Sequence, residues 1–100
     1  MSSRILIDRE KIAKFCRRHQ IGKLSLFGSV LREDFQPDSD VDVLVVFQPH
    51  ATVGFLRLAA IELELSQIIG RRVDLRTPAE LSRYFRDEVL RIAEVQYAAA

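Results

Sequence analysis

A pair of acidic side chains and a Gly–Ser pair carry the chemistry that this sequence can be expected to perform. Asp40 and Asp42 stand two positions apart at the start of the apolar run 41–47. On an extended segment both carboxylates point to the same side, with Cα atoms roughly 6.6 Å apart, so they can share divalent cations. Gly28 and Ser29 end an earlier apolar run, and ten residues separate Ser29 from Asp40. An acidic pair beside a phosphate-binding turn is the minimum equipment for chemistry on a nucleoside triphosphate.

The Gly–Ser pair predicts a turn that holds phosphate. Gly28 has no Cβ, so its backbone can approach a phosphate closely, and Ser29 adds a hydroxyl donor. The turn that follows presents free N–H groups at a helix start, which favour an anion. Arg32, one turn further on, can neutralise phosphate charge or can be an ordinary solvated helix arginine. A Gly–Ser turn alone is a weak signal, but its combination with the acidic pair between two buried strands is specific.

The acidic pair also has simpler interpretations. An aspartate near a strand start is often a turn or cap residue. Asp42 fits this less well because it lies inside an apolar run, where an unpaired buried carboxylate would cost several kcal/mol. A calcium loop is excluded, since Val43 replaces the glycine at its sixth position and Pro49 replaces the glutamate at its twelfth. The glycines also do not form a P-loop, because no Gly-Lys-Ser/Thr follows them.

Asp74 is the third candidate carboxylate. It lies between Val73 and Leu75, so it repeats the pattern of an acidic residue inside a β run. If its strand lies beside that of Asp42, three carboxylates meet at one end of the sheet. The competing interpretation is an ion pair with one of three nearby arginines, namely Arg71, Arg72 or Arg76.

Hydrophobic periodicity indicates which elements position these residues. Asp8 is a helix cap, Gly22 and Gly70 are helix stops, and Thr77 with Pro78 begins the last helix. In chain order the pattern predicts a helix from about residue 9, a strand at 24–27, a short helix at 29–34, a strand at 41–47, a helix at 55–69, a strand at 72–75 and a helix running to about 97. This order predicts an α/β domain built on a small sheet.

Composition limits the class of protein. The chain has 100 residues, 48% hydrophobic and 29% charged, which is typical of one globular domain over 1–100. A net charge of +1 gives no sign of a nucleic-acid surface. No apolar stretch is long enough for a membrane span or a signal peptide, so we expect a cytoplasmic protein without a membrane partner. Cys16 is the single cysteine, and we expect it on the apolar face of the first helix.

With these residues in place, the chain resembles the minimal nucleotidyltransferases, the small branch of the DNA polymerase β-like nucleotidyltransferase superfamily. The resemblance rests on Gly28-Ser29, on Asp40-Val41-Asp42 and on Asp74, and it extends over roughly residues 10 to 97. It implies the nucleotidyltransferase α/β fold, in which a small mixed sheet of about three strands is flanked by helices.

The resemblance also implies an activity and a partner. Many such domains are antitoxins encoded beside a HEPN-type toxin, and active members transfer AMP from ATP to a tyrosine hydroxyl of that toxin. This chain would then be a magnesium-dependent nucleotidyltransferase, with ATP as its substrate, in a hetero-oligomer with its toxin.

The hypothesis gives each candidate residue a role. Asp40 and Asp42 would hold two Mg²⁺ ions and Asp74 would complete the second site, because magnesium prefers oxygen ligands. Asp74 would also accept the proton of the attacking hydroxyl. The nucleotide-binding residues would be Gly28, Ser29 and Arg32.

Two other functions stay open. In the first, the protein neutralises its toxin by binding alone, through exposed parts of the helices predicted at 55–69 and 81–97. In the second, it transfers a nucleotide to a small molecule, although relatives of that kind carry an additional helical domain that these residues do not offer.

Overall fold

A mixed sheet with helices on both faces forms the centre of the molecule. The computed structural model describes residues 7–28, 40–81 and 83–99, with the backbone alone at 83–85. In chain order the elements are α1 (Arg9–Arg18), β1 (Ile21–Phe27), β2 (Val41–Phe47), α2 (Phe55–Ile69), β3 (Val73–Arg76), a 3₁₀ turn (Pro78–Glu80), α3 (Arg83–Ile92) and β4 (Glu94–Ala98). The strand order is β3-β2-β1-β4.

The sheet is antiparallel except at one edge. β1 pairs with β2 and with β4 in antiparallel fashion, whereas β3 runs parallel to β2. The large α2 helix makes the crossover between these parallel strands, as a parallel connection requires. None of the helices among the described residues has the length and hydropathy of a membrane span.

β2 is buried on both faces, as its continuous β-branched sequence predicts. Val41, Val43 and Val45 lie fully buried in one core cluster with residues of α1 and α2. Leu44, on the opposite face, packs with Val89 of α3 in a second cluster. Because side chains alternate along a strand, Asp42 projects to the same face as Leu44, which is the α3 face.

The predicted start of α1 is confirmed, but its predicted end is wrong. Oδ1 of Asp8 accepts hydrogen bonds from the backbone N–H groups of Glu10 and Lys11, at 3.1 and 3.2 Å. The helix ends at Arg18, and Gly22 lies inside β1, next to an irregularity in the pairing with β2. A positive φ of 60° at Gln20 makes the turn that was expected of the glycine.

α2 covers the open edge of β3 as well as one face of the sheet. Oγ of Ser66 accepts a hydrogen bond from the Val73 N–H at 3.0 Å, and Oε2 of Glu62 accepts one from the Leu75 N–H at 2.8 Å. These bonds satisfy donors that an edge strand would otherwise expose. The helix ends at Gly70, as predicted, with φ of 81°.

The prediction of a last helix reaching residue 97 is wrong, and so is the estimate of three strands. α3 ends at Ile92, and Glu94–Ala98 forms a fourth strand against β1. The apolar spacing continues past Ile92, but the unpaired edge of β1 offers backbone hydrogen bonds that local periodicity does not show. The predicted helix at 29–34 lies outside the described residues.

Candidate functional site

Asp42 and Asp74 are direct neighbours on adjacent strands. They occupy paired positions in the parallel ladder between β2 and β3, so both carboxylates project from the same face of the sheet. Both side chains are partly exposed, which places them on an open part of that face. The sequence-based expectation that the strand of Asp74 lies beside that of Asp42 is therefore confirmed.

The backbone of Gly28 lies directly against the carboxylate of Asp42. It follows Phe27, the β1 residue that pairs with Asp42, and it has a positive φ of 74°. A Cβ at this position would overlap Oδ2 of Asp42 and lie 3.1 Å from its Cγ. The positive φ favours glycine here, and any Cβ at residue 28 would displace the Asp42 carboxylate.

Arg76 holds Asp74 through two contacts. Its Nε lies 3.1 Å from Oδ1, and its Nη2 donates a hydrogen bond to Oδ2 at 3.2 Å. The hydrogen bond and charge of Asp74 raise the pKa of Arg76, and the charges of Glu80 and Asp42 add to the effect. The ion pair proposed as the simpler interpretation of Asp74 therefore exists, and it coexists with the neighbouring Asp42.

Of the remaining predicted site residues, the structure describes Asp40 alone. Asp40 immediately precedes β2, and its Oδ1 lies 4.0 Å from Nε of Arg72. It lines a surface depression that Asp74 also lines. Ser29 and Arg32 lie outside the described residues.

The side chains at this site determine whether it could bind magnesium. Among residues 7–28, 40–81 and 83–99, no three acidic, histidine or cysteine side chains stand together as a metal site. The chemistry of Asp40, Asp42 and Asp74 nevertheless fits, since carboxylate oxygens are the ligands that Mg²⁺ prefers. The backbone register aligns Asp42 with Asp74, and both carboxylate oxygens of Asp74 contact Arg76.

A pocket opens beyond Asp74, at the outer edge of β3. Its volume is about 560 Å³, and its apolar wall is formed by Phe55 and Leu58 of α2 together with Leu75. A second depression of about 430 Å³ adjoins it and is lined by Asp40 and Asp74. The carboxylates thus lie beside a concave surface large enough for a ligand side chain.

The position of Glu62 at the edge of β3 was not apparent from the sequence. Its spacing suggested only the wetter side of α2, whereas its carboxylate caps β3 and lines both pockets. A short-range signal for this role is lacking, because the contact joins residues thirteen positions apart.

Comparison with known proteins identifies the family. The sequence matches the family model described as nucleotidyltransferase domain over residues 9–97. The chain belongs to this family. A second finding supports the assignment: a solved structure described as a candidate minimal nucleotidyltransferase is 38% identical, has a TM-score of 0.69 and covers 85% of each chain.

Relatives of this nucleotidyltransferase domain include named protein adenylyltransferases. MntA of Thermococcus cleftensis, a protein adenylyltransferase, is 35% identical over 80 residues, which are 80% of this chain and 77% of that protein. A provisionally named protein adenylyltransferase of Methanocaldococcus jannaschii is 29% identical over 82 residues, 82% of this chain and 86% of that protein.

Two toxin–antitoxin complexes share the nucleotidyltransferase fold at 20% identity. One, described as containing AMP-PNP, has a TM-score of 0.73 and covers 93% of this chain and 75% of that chain. The other is described as a tri-AMPylated Shewanella oneidensis HEPN toxin with its MNT antitoxin. It has a TM-score of 0.65 and covers 91% of this chain and 70% of that chain.

Proposed function

We propose that this protein transfers AMP from ATP to a tyrosine hydroxyl of a HEPN-type toxin and thereby acts as its antitoxin. One observation carries the proposal: Asp42 and Asp74 are paired across β2 and β3, with Gly28 closing directly on Asp42. This arrangement sets carboxylates beside a backbone turn that can approach a phosphate. The names of the relatives supply the reaction class and the kind of partner.

The residues that follow β1 bind the terminal phosphates of the nucleotide. Gly28 allows the backbone to approach the terminal phosphates closely, and Ser29 and Arg32 follow it in the chain. The α-phosphorus then lies over the carboxylates of β2 and β3. The toxin–antitoxin complex described with AMP-PNP, an ATP analogue, supports ATP as the nucleotide.

The reaction itself is a displacement at the α-phosphorus. The acceptor oxygen forms a bond to that phosphorus, the bond to the bridging oxygen breaks, and pyrophosphate leaves with the electron pair. Asp74 accepts the hydroxyl proton, directly or through water, once its carboxylate leaves Arg76. Positioning and charge stabilisation supply most of the rate enhancement.

Asp40, Asp42 and Asp74 are the residues that would hold magnesium. When bound, Mg²⁺ would neutralise charge on the triphosphate and lower the pKa of the attacking hydroxyl. The role of this chain is to fix the carboxylates on two adjacent strands, so that their spacing is set by backbone hydrogen bonds.

The proposal is tested by transfer of label. The protein is incubated with labelled ATP, Mg²⁺ and the HEPN-type protein encoded by the neighbouring gene. We expect label on that partner with the native protein and none with Asp42→Ala, which should stay folded because Asp42 is partly exposed. Undiminished transfer by the variant would refute the assigned role of Asp42.

A second candidate function is neutralisation by binding alone. The observation in its favour is an apolar exposed side of α2, where Phe55 and Leu56 are each 84% exposed and Leu63 is 64% exposed. Such a surface suits a protein partner. Cells carrying the toxin decide between the functions: full rescue by the Asp40→Ala, Asp42→Ala double variant would indicate binding alone, and loss of rescue with retained binding would indicate catalysis.

A further inference from the structure

We propose that the pocket between α2 and the open edge of β3 receives the ring of the acceptor tyrosine. The inference rests on the proposed function and adds the acceptor's position. The pocket has a volume of about 560 Å³, and Asp74 lies in its lining. A phenol ring inserted there would bring its hydroxyl to the carboxylate that takes the proton.

Strand order indicates that the acceptor arrives from this side. Gly28 follows β1, Asp42 lies on β2, Asp74 lies on β3, and the pocket lies beyond β3. In an in-line displacement the attacking and leaving oxygens lie on opposite sides of the phosphorus. With pyrophosphate held at Gly28, the attacking oxygen must approach across Asp74, which is the side of the pocket.

The charge of the lining favours a neutral ring over a nucleotide phosphate. Among the residues that line the pocket in the described part of the chain are three carboxylates, Asp74, Glu62 and Glu80, and one guanidinium, Arg76. This excess of negative charge repels a triphosphate. A phenol avoids that repulsion, because it stays neutral until its proton leaves.

The walls of the pocket suit an aromatic ring. Phe55, Leu58 and Leu75 provide an apolar surface, and Phe55 is 84% exposed, so much of its ring is available for contact. Aromatic rings are stabilised by favourable mutual packing beyond the burial of their area. Apolar walls with a carboxylate at one end match a tyrosine, whose ring is apolar and whose tip is polar.

A larger side chain that fills the pocket tests the proposal directly. Ala59 is exposed and lines the pocket, whereas Ala60, the next residue on the same helix, is exposed outside that lining. We expect Ala59→Phe to slow AMP transfer to the HEPN-type partner by about 100-fold, since displacement of a reacting group by about 1 Å can cost that much. Binding of AMP-PNP and of the partner should be retained, and Ala60→Phe should transfer at the native rate.

Two results would overturn the inference. One is native-rate transfer by Ala59→Phe, and the other is loss of AMP-PNP affinity in that variant, which would make the pocket a nucleotide site. Absence of transfer by the native protein would instead refute the proposed function.

The pocket is also tested without any transfer reaction. The probe is N-acetyl-tyrosinamide, titrated into the native protein and followed through methyl resonances in NMR spectra. We expect shifts at Leu58 and Leu75 and none at Leu90 of α3, and we expect Ala59→Phe to abolish them. Leu58 and Leu75 resonances that stay unchanged up to the solubility limit of the probe would contradict the assignment, whatever the transfer assay shows.

Discussion

A Cβ on Gly28 would overlap Oδ2 of Asp42, so the glycine and the carboxylate occupy mutually dependent positions. The contact joins the end of β1 to the start of β2 across an antiparallel pair. It fixes how closely the backbone at residue 28 approaches the acidic side chain. Any side chain at residue 28 must therefore move Asp42.

Gly28→Ala should abolish AMP transfer, and Gly70→Ala should not. Both glycines have a positive φ, 74° and 81°, so each alanine costs about 1 kcal/mol of backbone strain. A Cβ at Gly70 meets nothing within 4 Å, whereas at Gly28 it displaces Asp42. Unfolding in urea measures the backbone strain that both variants share. Label transfer measures the effect of displacing Asp42, which occurs in Gly28→Ala alone. Equal transfer by the two variants would contradict the role of the Gly28–Asp42 contact.

Removing the guanidinium from Asp74 should strengthen metal binding. Arg76→Gln releases a carboxylate that Arg76 holds through both oxygens. The side chains are 45% and 33% exposed, so the ion pair contributes about 1 kcal/mol at most and Mn²⁺ affinity should rise by up to about five-fold. Titration of Mn²⁺ by electron paramagnetic resonance measures the affinity.

Arg91→Gln is the matched control for this charge change, since Arg91 is exposed in the last turn of α3. It removes one positive charge without touching Asp74. An equal gain in affinity with Arg91→Gln would show that net charge, and not release of Asp74, causes the effect.

Ser66→Ala should destabilise the fold through the edge of β3. The Ser66 hydroxyl donates a hydrogen bond to the Glu62 carbonyl at 2.8 Å and accepts one from the Val73 N–H at 3.0 Å. Its loss leaves a strand donor unsatisfied, which costs about 1–3 kcal/mol. Urea unfolding measures the change, with Gln67→Ala as the exposed neighbour. A free energy of unfolding equal to that of Gln67→Ala would show that β3 needs no such cap.

Cys16 should be unreactive in the native protein. It is fully buried, and burial raises its thiol pKa from 9.0 to about 12. Ellman's reagent at pH 8 should label it only in denaturant. Because the unfolded thiol ionises near pH 9 and the folded one does not, its contribution to stability is present below pH 9 and is lost progressively between pH 9 and 12.

The variant Cys16→Ala isolates this thiol from other groups that titrate at high pH. The native protein should lose stability above pH 9 more steeply than the variant does. Parallel pH profiles of the two proteins would show that the thiol pKa is the same in both states.

Local sequence signals predicted the elements that carry the site. β2 and α2 have the predicted bounds, because each depends on a strong period within a single segment. β3 differs from its prediction by one residue at each end. Adjacency of the strands of Asp42 and Asp74 was a condition of the hypothesis, and the register of β2 and β3 shows that it is met.

The remaining features depend on contacts between distant parts of the chain. β4 forms because the edge of β1 that does not pair with β2 has free backbone hydrogen-bonding groups. The sequence around Gln96 continues the apolar spacing of α3, and no glycine or proline marks the end of the helix. Glu62 caps β3 across thirteen residues, and the pocket at that edge exists only once α2 and β3 are packed. Periodicity within one segment does not contain this information.

If the carboxylates serve transfer at the α-phosphorus of ATP, the partner must receive the α-phosphate and no other phosphate of the nucleotide. The HEPN-type partner is incubated with this protein, Mg²⁺ and ATP labelled either on the α-phosphate or on the γ-phosphate. We expect α-label alone to appear on the partner, with release of pyrophosphate, and we expect Asp42→Asn to abolish it while Asp87→Asn, an exposed control on α3, does not. Transfer of γ-label, or α-label transfer that survives Asp42→Asn, would contradict the account.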